Sequence, residues 1–387
     1  MFLDLDGNCV DAVKKVSLKG VFSQVTGFVG GKEDASDIFS KAAYSLGRSM
    51  KEPSVDAIRR LAEGTDSLEG FLITHSTNGG TGSGFNSLLL EELKTLFPKK
   101  VKFNVAVTPS GTGREGVLSD HNSTLAIHSL LEHSDLTVML QNESIYNILK
   151  YQLDIEEPSL KSVNRLIARH LADITSGARR LEGPATQTLQ EMLSNLVPYP
   201  TIKLLTASLS PWLPKELEHQ ANPSVAELMA NIFEPLNCLS SVPILKSKLI
   251  SCDMVFRGDI SPSEVTQGFN YYRSSHSRMS LTSCCLTSYK AHINSGSRAK
   301  KPHADLAAPK FTIAALTNSA AVTKLINEVA QRCDKIYARR AFHHFYIGEG
   351  MESGTFSEAR ENLAVIARDY KELTQVPQEP QPNEEEM

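Results

Sequence analysis

His75-Ser76-Thr77-Asn78-Gly79-Gly80-Thr81-Gly82-Ser83-Gly84 decides how this chain is read. An apolar run, Gly70-Phe71-Leu72-Ile73-Thr74, precedes it, and Phe85, Leu88, Leu89, Leu93, Leu96 and Phe97 follow at helical spacing. The order is strand, glycine-rich turn, helix. Glycines let backbone N–H groups approach a ligand closely, and the start of a helix adds unpaired donors and the positive end of its dipole. Thr81 and Ser83 contribute hydroxyls. A polyphosphate is the natural occupant. A plain surface turn is the alternative that the glycines by themselves leave open.

The spacing excludes two familiar phosphate loops. A P-loop requires a lysine after its last glycine, and Gly84 is followed by Phe85-Asn86. The dinucleotide fingerprint fails because Phe85 stands where its third glycine should fall.

The 387 residues predict two or three domains, and a 41% hydrophobic content is enough to build their cores. A formal charge of −4 argues against general affinity for nucleic acid or an anionic membrane. No apolar run approaches the roughly 20 residues of a membrane span. Met1-Phe2-Leu3-Asp4-Leu5-Asp6 is acidic and lacks the basic start of a signal peptide. The six cysteines are scattered without Cys-x-x-Cys spacing, which suggests reduced cytosolic thiols rather than zinc or disulfides. Cys284-Cys285 lies in an apolar run and reads as buried strand.

Candidate strands at Met1–Leu5, Gly70–Thr74, Lys102–Val107 and Leu136–Leu140 alternate with candidate helices at Ala35–Gly47, Val55–Leu61, Phe85–Phe97 and Ser123–Leu131. Such alternation predicts an α/β fold, a doubly wound parallel sheet with helices on both faces and phosphate-binding turns at the carboxyl ends of its strands. A long helix is expected from Pro158-Ser159 to about Arg180. Strand-like runs follow at Ile202–Ala207, Lys248–Phe256, Ser280–Thr287 and Phe311–Thr317, with a helix near Ser224–Phe233. From Ala320 the pattern is helical, and Thr355-Phe356-Ser357-Glu358 has capping-box spacing. Beyond Tyr370 the chain is rich in Pro, Gln and Glu and ends Asn383-Glu384-Glu385-Glu386-Met387, the composition of a disordered acidic tail.

Gly79-Gly80-Thr81-Gly82-Ser83-Gly84 resembles the phosphate-binding signature of the tubulin family, with Asn78 where that pattern has one more glycine. The likeness continues in order through Leu153-Asp154-Ile155-Glu156-Glu157-Pro158, Asn195-Leu196-Val197-Pro198-Tyr199-Pro200, Ser224-Val225-Ala226-Glu227-Leu228 and Phe256-Arg257-Gly258-Asp259. Tyr337-Ala338-Arg339-Arg340-Ala341-Phe342, Gly348-Glu349-Gly350-Met351 and Phe356-Ser357-Glu358-Ala359-Arg360-Glu361 complete it, and the alpha type matches best. The resemblance implies a nucleotide-binding domain over residues 1–157, a core helix and connecting segment over 158–200, and an intermediate α/β domain over 201–320. C-terminal helices over 321–370 and the tail over 371–387 complete the expected order.

Site residues carry over only where the motifs match. Ser76, Gly79, Gly80, Thr81, Gly82, Ser83 and Gly84 match the phosphate loop. Asp34, in Gly31-Lys32-Glu33-Asp34-Ala35, matches an acidic residue near the magnesium, and Asp6 stands where a glutamate reaches the same Mg2+ through water. Asn142 and Asn164 match the asparagines that read the nucleoside of GTP. Glu191, on a short helix with Leu189, Met192, Leu193 and Leu196, matches the alpha-type glutamate that polarises water attacking GTP held by a neighbouring beta-type subunit. Taken alone, each has a bland reading as a cap or a solvated charge, and their joint register favours the ligand reading.

Departures from the family are informative. The chain begins at what resembles the family's second strand, so the first strand and helix, with a glutamine-bearing loop, have no counterpart. Leu160 stands in place of a tyrosine that stacks on guanine. Thr186 and Thr188 replace an Asn and an Asp, Ser119 replaces a glutamate, and Ser241-Val242-Pro243 lies where Cys-Asp-Pro-Arg is expected. Arg298-Ala299-Lys300-Lys301-Pro302 reads as a solvated turn, and His343-His344, beside Phe342 and Phe345, as packing rather than metal binding. Met387 is not the aromatic residue that ends many alpha tubulins.

Two functions are therefore expected to compete. One is a GTP- and Mg2+-binding subunit of cytoplasmic, cytoskeletal microtubules, paired with a beta-tubulin-type chain, lending Glu191 in trans and drawing basic microtubule-associated proteins to its tail. The other is a nucleotide-free tubulin-like interaction protein that caps, sequesters or decorates tubulin. An upstream segment supplying the first strand and helix would favour the former.

Overall fold

The computed structural model describes residues 1–15, 22, 27–110, 116–179, 187–217, 223–275, 280–282, 289–294, 306–307 and 309–375. Cys284-Cys285, the basic run 298–302, Thr186 and the tail beyond residue 375 lie outside them. The chain divides into two compact units. The first gathers Met1–Ile145, Thr188–Leu193 and Ile326–Ala364, and the second gathers Tyr146–Gln187, Ser194–Leu325 and Val365–Met387.

The elements begin with β1 (Phe2–Asp4), α1 (Gly7–Lys14), β2 (Phe28–Gly30), α2 (Leu46–Glu63), β3 (Gly70–Ser76) and α3 (Asn86–Leu96). They continue with β4 (Val101–Thr108), α4 (Ser119–His133), β5 (Leu136–Gln141), α5 (Asn142–Tyr151), α6 (Leu160–Ile174), α7 (Ser176–Arg179) and α8 (Leu189–Leu196). Then come β6 (Leu204–Ser210), α9 (Val225–Asn231), β7 (Lys248–Arg257), α10 (Pro262–Ser275), β8 (Ser280–Leu281) and β9 (Tyr289–Asn294). The series closes with β10 (Thr312–Ser319), α11 (Val322–Tyr337), α12 (His343–Gly348) and α13 (Thr355–Gln375).

In the first unit β3, β4 and β5 form a parallel ladder, with Leu72 opposite Phe103 and Val105 opposite Val138. Every residue of β5, and all of β4 except Val107, is buried. This is the state of parallel strands covered on both faces. β3 instead alternates, with Leu72, Thr74 and Ser76 exposed between half-buried Phe71, Ile73 and His75. Among the described residues β3 pairs only with β4, and β1 only with β2. A cavity of about 390 Å3, lined by Met1, Leu3, Phe71, Ile73 and Leu89, touches both β1 and β3.

Candidate helices are expected at Ala35–Gly47 and Val55–Leu61, whereas α2 runs unbroken from Leu46 to Glu63 with Pro53 inside it. Gly47, Ser54, Val55, Ala57 and Ile58 are buried along α2, and that packing outweighs the hydrogen bond proline removes. Residues 35–40 stay largely non-helical, and a π-helical turn, Lys41–Ser45, leads into α2.

In the second unit β10 lies between β6 and β7, antiparallel to both, with Ala315 opposite Ser208 and Met254. β8 and β9 run parallel to β7. Leu228, Ile232 and Phe233 of the α9 segment share a core with Met254, Phe256 and Ile313. Ser224 and Glu227 form a reciprocal capping box at the start of α9. The long helix expected to reach Arg180 divides at Thr175. There Thr175 Oγ1 donates to the Leu171 carbonyl at 2.7 Å and Ser176 Oγ to that of Asp173 at 2.6 Å. The capping box expected at Thr355 does not form as read, because α13 already begins there and the Glu358 N–H bonds the Gly354 carbonyl at 3.1 Å. Among the described residues no helix is long and apolar enough to cross a membrane.

Candidate functional site

The glycine-rich turn leaves β3 at Ser76 and becomes helical at Gly80, first as a π-helical turn, Thr81–Phe85, and then as α3. The turn is pinned at its base by Thr77. The Thr77 N–H and Oγ1 donate to the Val107 carbonyl at 3.0 and 3.2 Å, and Oγ1 also meets Ser123 Oγ at 3.0 Å. Ser76 Oγ accepts from the Asn78 N–H at 3.3 Å, and Ser83 Oγ donates to the Gly79 carbonyl at 2.6 Å. His75 Nδ1–H donates to the Gly82 carbonyl at 2.8 Å. Burial of its ring nitrogens lowers the His75 pKa to about 4, so the ring is neutral near pH 7.

The glycines serve different ends. A Cβ on Gly82 would stand 2.2 Å from the Ser76 carbonyl oxygen, one on Gly84 2.2 Å from that of Phe39, and one on Gly80 2.7 Å from the Ala35 Cβ. These positions are glycine because the chain packs on itself. Gly79 is different: a Cβ there would meet only Asp37 Oδ1, at 3.4 Å, and otherwise open space. A helix start also leaves its first N–H groups without intrahelical acceptors.

The segment beside the turn is held by a residue that the sequence reading did not single out. Asn122, fully buried on α4, donates from Nδ2 to the carbonyls of Asp37 at 2.7 Å and Asn78 at 2.8 Å. Its Oδ1 accepts from the Phe39 N–H at 3.2 Å and from Tyr346 Oη at 2.8 Å. Ser36 and Asp37 both adopt left-handed backbone, with φ of 53° and 56°. Asp34 is exposed, and its carbonyl, not its carboxylate, accepts from Lys41 Nζ at 3.1 Å. Asp6 caps α1 by accepting the Asn8 N–H at 2.9 Å. Asp4, at the end of β1, reaches the turn itself, accepting from Thr81 Oγ1 at 3.2 Å.

Asn142, half-buried, opens α5 directly after β5. Asn164 is exposed on α6, one turn beyond Leu160, which is 68% exposed. Glu191 is exposed on α8, where it shares a capping arrangement with Thr188. The Glu191 N–H donates to Thr188 Oγ1 at 3.1 Å, and Glu191 Oε2 accepts the Thr188 N–H at 3.5 Å. The bland role of that glutamate is therefore present, and it leaves the side chain at the surface.

Residues 1–150 match the Tubulin/FtsZ family GTPase domain, and residues 200–331 match the Tubulin C-terminal domain. The Tubulin alpha-1B chain of Physarum polycephalum is 36% identical over 373 residues, covering 96% of this chain and 82% of that one. The chain belongs to the tubulin family. The Tubulin alpha chain, nucleomorph, of Guillardia theta is 36% identical over 96% of this chain and 83% of its own length. The Tubulin alpha-1 chain of Arabidopsis thaliana is 35% identical over 96% and 82% respectively.

The turn, Asp6, Asp34 and Asn142 of this tubulin fall inside the GTPase-domain match, whereas Asn164 and Glu191 fall between the two matched segments. The donor types fit a nucleotide: an open glycine, a helix start and the Ser76 hydroxyl suit an anion, whereas the Thr81 hydroxyl is already engaged by the Asp4 carboxylate. Among the described residues no three of His, Cys, Asp and Glu gather into a metal-holding group. Magnesium does not require one, since it is commonly bound by one or two carboxylates together with phosphate oxygens and water.

Proposed function

We propose that this tubulin is an alpha-type, GTP-binding structural subunit of microtubules that pairs with a beta-type chain in the cytoskeleton. The observation that carries the reading is Gly79. It is open to a ligand at a turn whose other glycines are used up in internal packing. In this reading the N–H groups of residues 79–82, with the Ser76 hydroxyl, hold the phosphates, the Ser83 N–H being taken by the Gly79 carbonyl and the Thr81 hydroxyl by Asp4. Asn142 and Asn164 hold the nucleoside, and acidic side chains about the turn hold Mg2+, with Asp6 and Asp34 as the positions implied by the family. Bound magnesium would neutralise phosphate charge. Glu191, exposed on α8, would be presented to a nucleotide on the partner subunit.

The experiment is to denature the purified chain and resolve the released nucleotide by chromatography. Near-stoichiometric guanine nucleotide is expected. A folded protein that releases none would overturn the proposal. It would leave a nucleotide-free interaction protein in front, a second reading favoured by Leu160 lying 68% exposed where the family has a stacking tyrosine.

A further inference from the structure

We infer that Asp37, rather than the Asp34 implied by the family resemblance, is the carboxylate that meets the cation of an incoming nucleotide, and that it makes binding stringently dependent on that cation. This rests on the nucleotide-binding reading. Asp37 Oδ1 lies 3.4 Å from the place a Cβ on Gly79 would take, so the carboxylate stands at the open side of the turn. The position is built rather than incidental. Asn122, fully buried, holds the Asp37 carbonyl at 2.7 Å and the Phe39 N–H at 3.2 Å, fixing the backbone that leaves Asp37. Ser36 and Asp37 are both held left-handed, a conformation that persists in non-glycine residues only where the surroundings impose it.

Among the described residues nothing pairs with this charge. Lys41 Nζ is engaged by the Asp34 carbonyl and by Ser36 Oγ, both at 3.1 Å. A phosphate arriving beside Gly79 therefore meets a like charge a few ångströms away. A hard divalent cation between the two turns repulsion into coordination, because carboxylate and phosphate oxygens are both suitable ligands for it. The Asp34 side chain, exposed like that of Asp37, lies outside the left-handed pair and outside the contacts of Asn122, so it shares none of this constraint.

The test is GTP affinity of the full chain, measured by equilibrium dialysis in excess Mg2+ and again in EDTA, for wild type, Asp37→Asn and Asp34→Asn. Asparagine suits the left-handed backbone and removes only the charge. Asp37→Gly serves the same comparison if asparagine disturbs the segment. Wild type and Asp34→Asn are expected to lose roughly 30-fold or more in EDTA, whereas Asp37→Asn loses only a few-fold, chiefly by binding better without metal. Equal metal dependence of wild type and Asp37→Asn, with GTP bound by both, overturns the assignment and leaves the nucleotide reading standing. So does a narrowed ratio in Asp34→Asn alone. Wild type that binds no GTP in either condition overturns the nucleotide reading itself, and this inference with it.

Discussion

In the turn at residues 76–84 the backbone is tied to its neighbours at nearly every step, by Thr77 to β4, by His75 to Gly82 and by Asn78 to Asn122. At the opening of α6, Leu160 and Asn164 stand exposed one helical turn apart, with the Ser159 cap on the Ser162 N–H at 3.3 Å as the local constraint. Both regions are read as nucleotide contacts, yet the first is shaped by folding and the second is not. A polyphosphate would meet a turn already in place, whereas a nucleoside would meet two side chains whose rotamers only the ligand can settle. The contrast suggests that sequence drift at the α6 opening leaves the fold untouched, and drift in the turn does not.

The sharpest way to break this comparison is to add one methyl group. Gly82→Ala places a Cβ 2.2 Å from the Ser76 carbonyl oxygen, a backbone atom that cannot swing aside. It should cost about 2–3 kcal/mol even after the helix-propensity gain of alanine, read as a lowered midpoint in denaturant unfolding. Gly79→Ala should unfold within about 0.5 kcal/mol of wild type and lose guanine-nucleotide affinity instead. If the two variants unfold alike, the division of labour among the glycines is wrong.

A smaller effect tests whether the turn is stitched by a neutral histidine. The His75 pKa falls from 6.5 to about 4 on folding, so between those values the unfolded chain binds more protons than the native one. Stability is complete above pH 6.5 and is lost as the pH drops toward 4, by about 1 kcal/mol per pH unit for one site. His170, buried in the second unit with its pKa lowered to about 3, adds a slope of the same sign. His75→Gln should therefore flatten the acid limb of the unfolding midpoint against pH by about one proton without abolishing it. An unchanged slope would mean that protonated His75 is accommodated, and that the turn is looser than its contacts suggest.

Much of this architecture could be read from sequence because it rests on local patterns. The apolar runs at 70–74, 102–107 and 136–140 are β3, β4 and β5, and the glycine turn falls between β3 and α3 as its flanks require. What escaped depends on tertiary packing. The two helices expected at Ala35–Gly47 and Val55–Leu61 give way to one, α2, whose buried face runs continuously past Pro53. Asn122 belongs to the polar run Ser119-Asp120-His121-Asn122-Ser123-Thr124, mostly ahead of the helix expected from Ser123, and only Asp120 of that run is not buried. No local signal marks such a residue as the anchor of a turn more than forty positions away. The place of Asp37 is equally non-local: the motif draws attention to Asp34, and with Ser36 and Asp37 in left-handed backbone the Asp37 carboxylate stands beside Gly79.

The smallest expected effect is on folding and comes from the other side of the comparison. Leu160 is 68% exposed at the first position of α6, with Asn164 one turn along the same face. Replacing it with tyrosine removes no packing and leaves the Ser159 cap in place, so Leu160→Tyr should unfold within about 0.5 kcal/mol of wild type. An aromatic ring there can stack on a purine, a contact that leucine cannot reproduce, and such pairs contribute roughly 0.5–1.5 kcal/mol beyond area burial. The affinity for GTP should then rise several-fold while the affinity for inorganic triphosphate stays level, since the phosphate turn is untouched. A gain for both ligands would tie the two regions together and remove the distinction between a site made by folding and one completed by its ligand. A gain for neither would place the base elsewhere than on this face of α6.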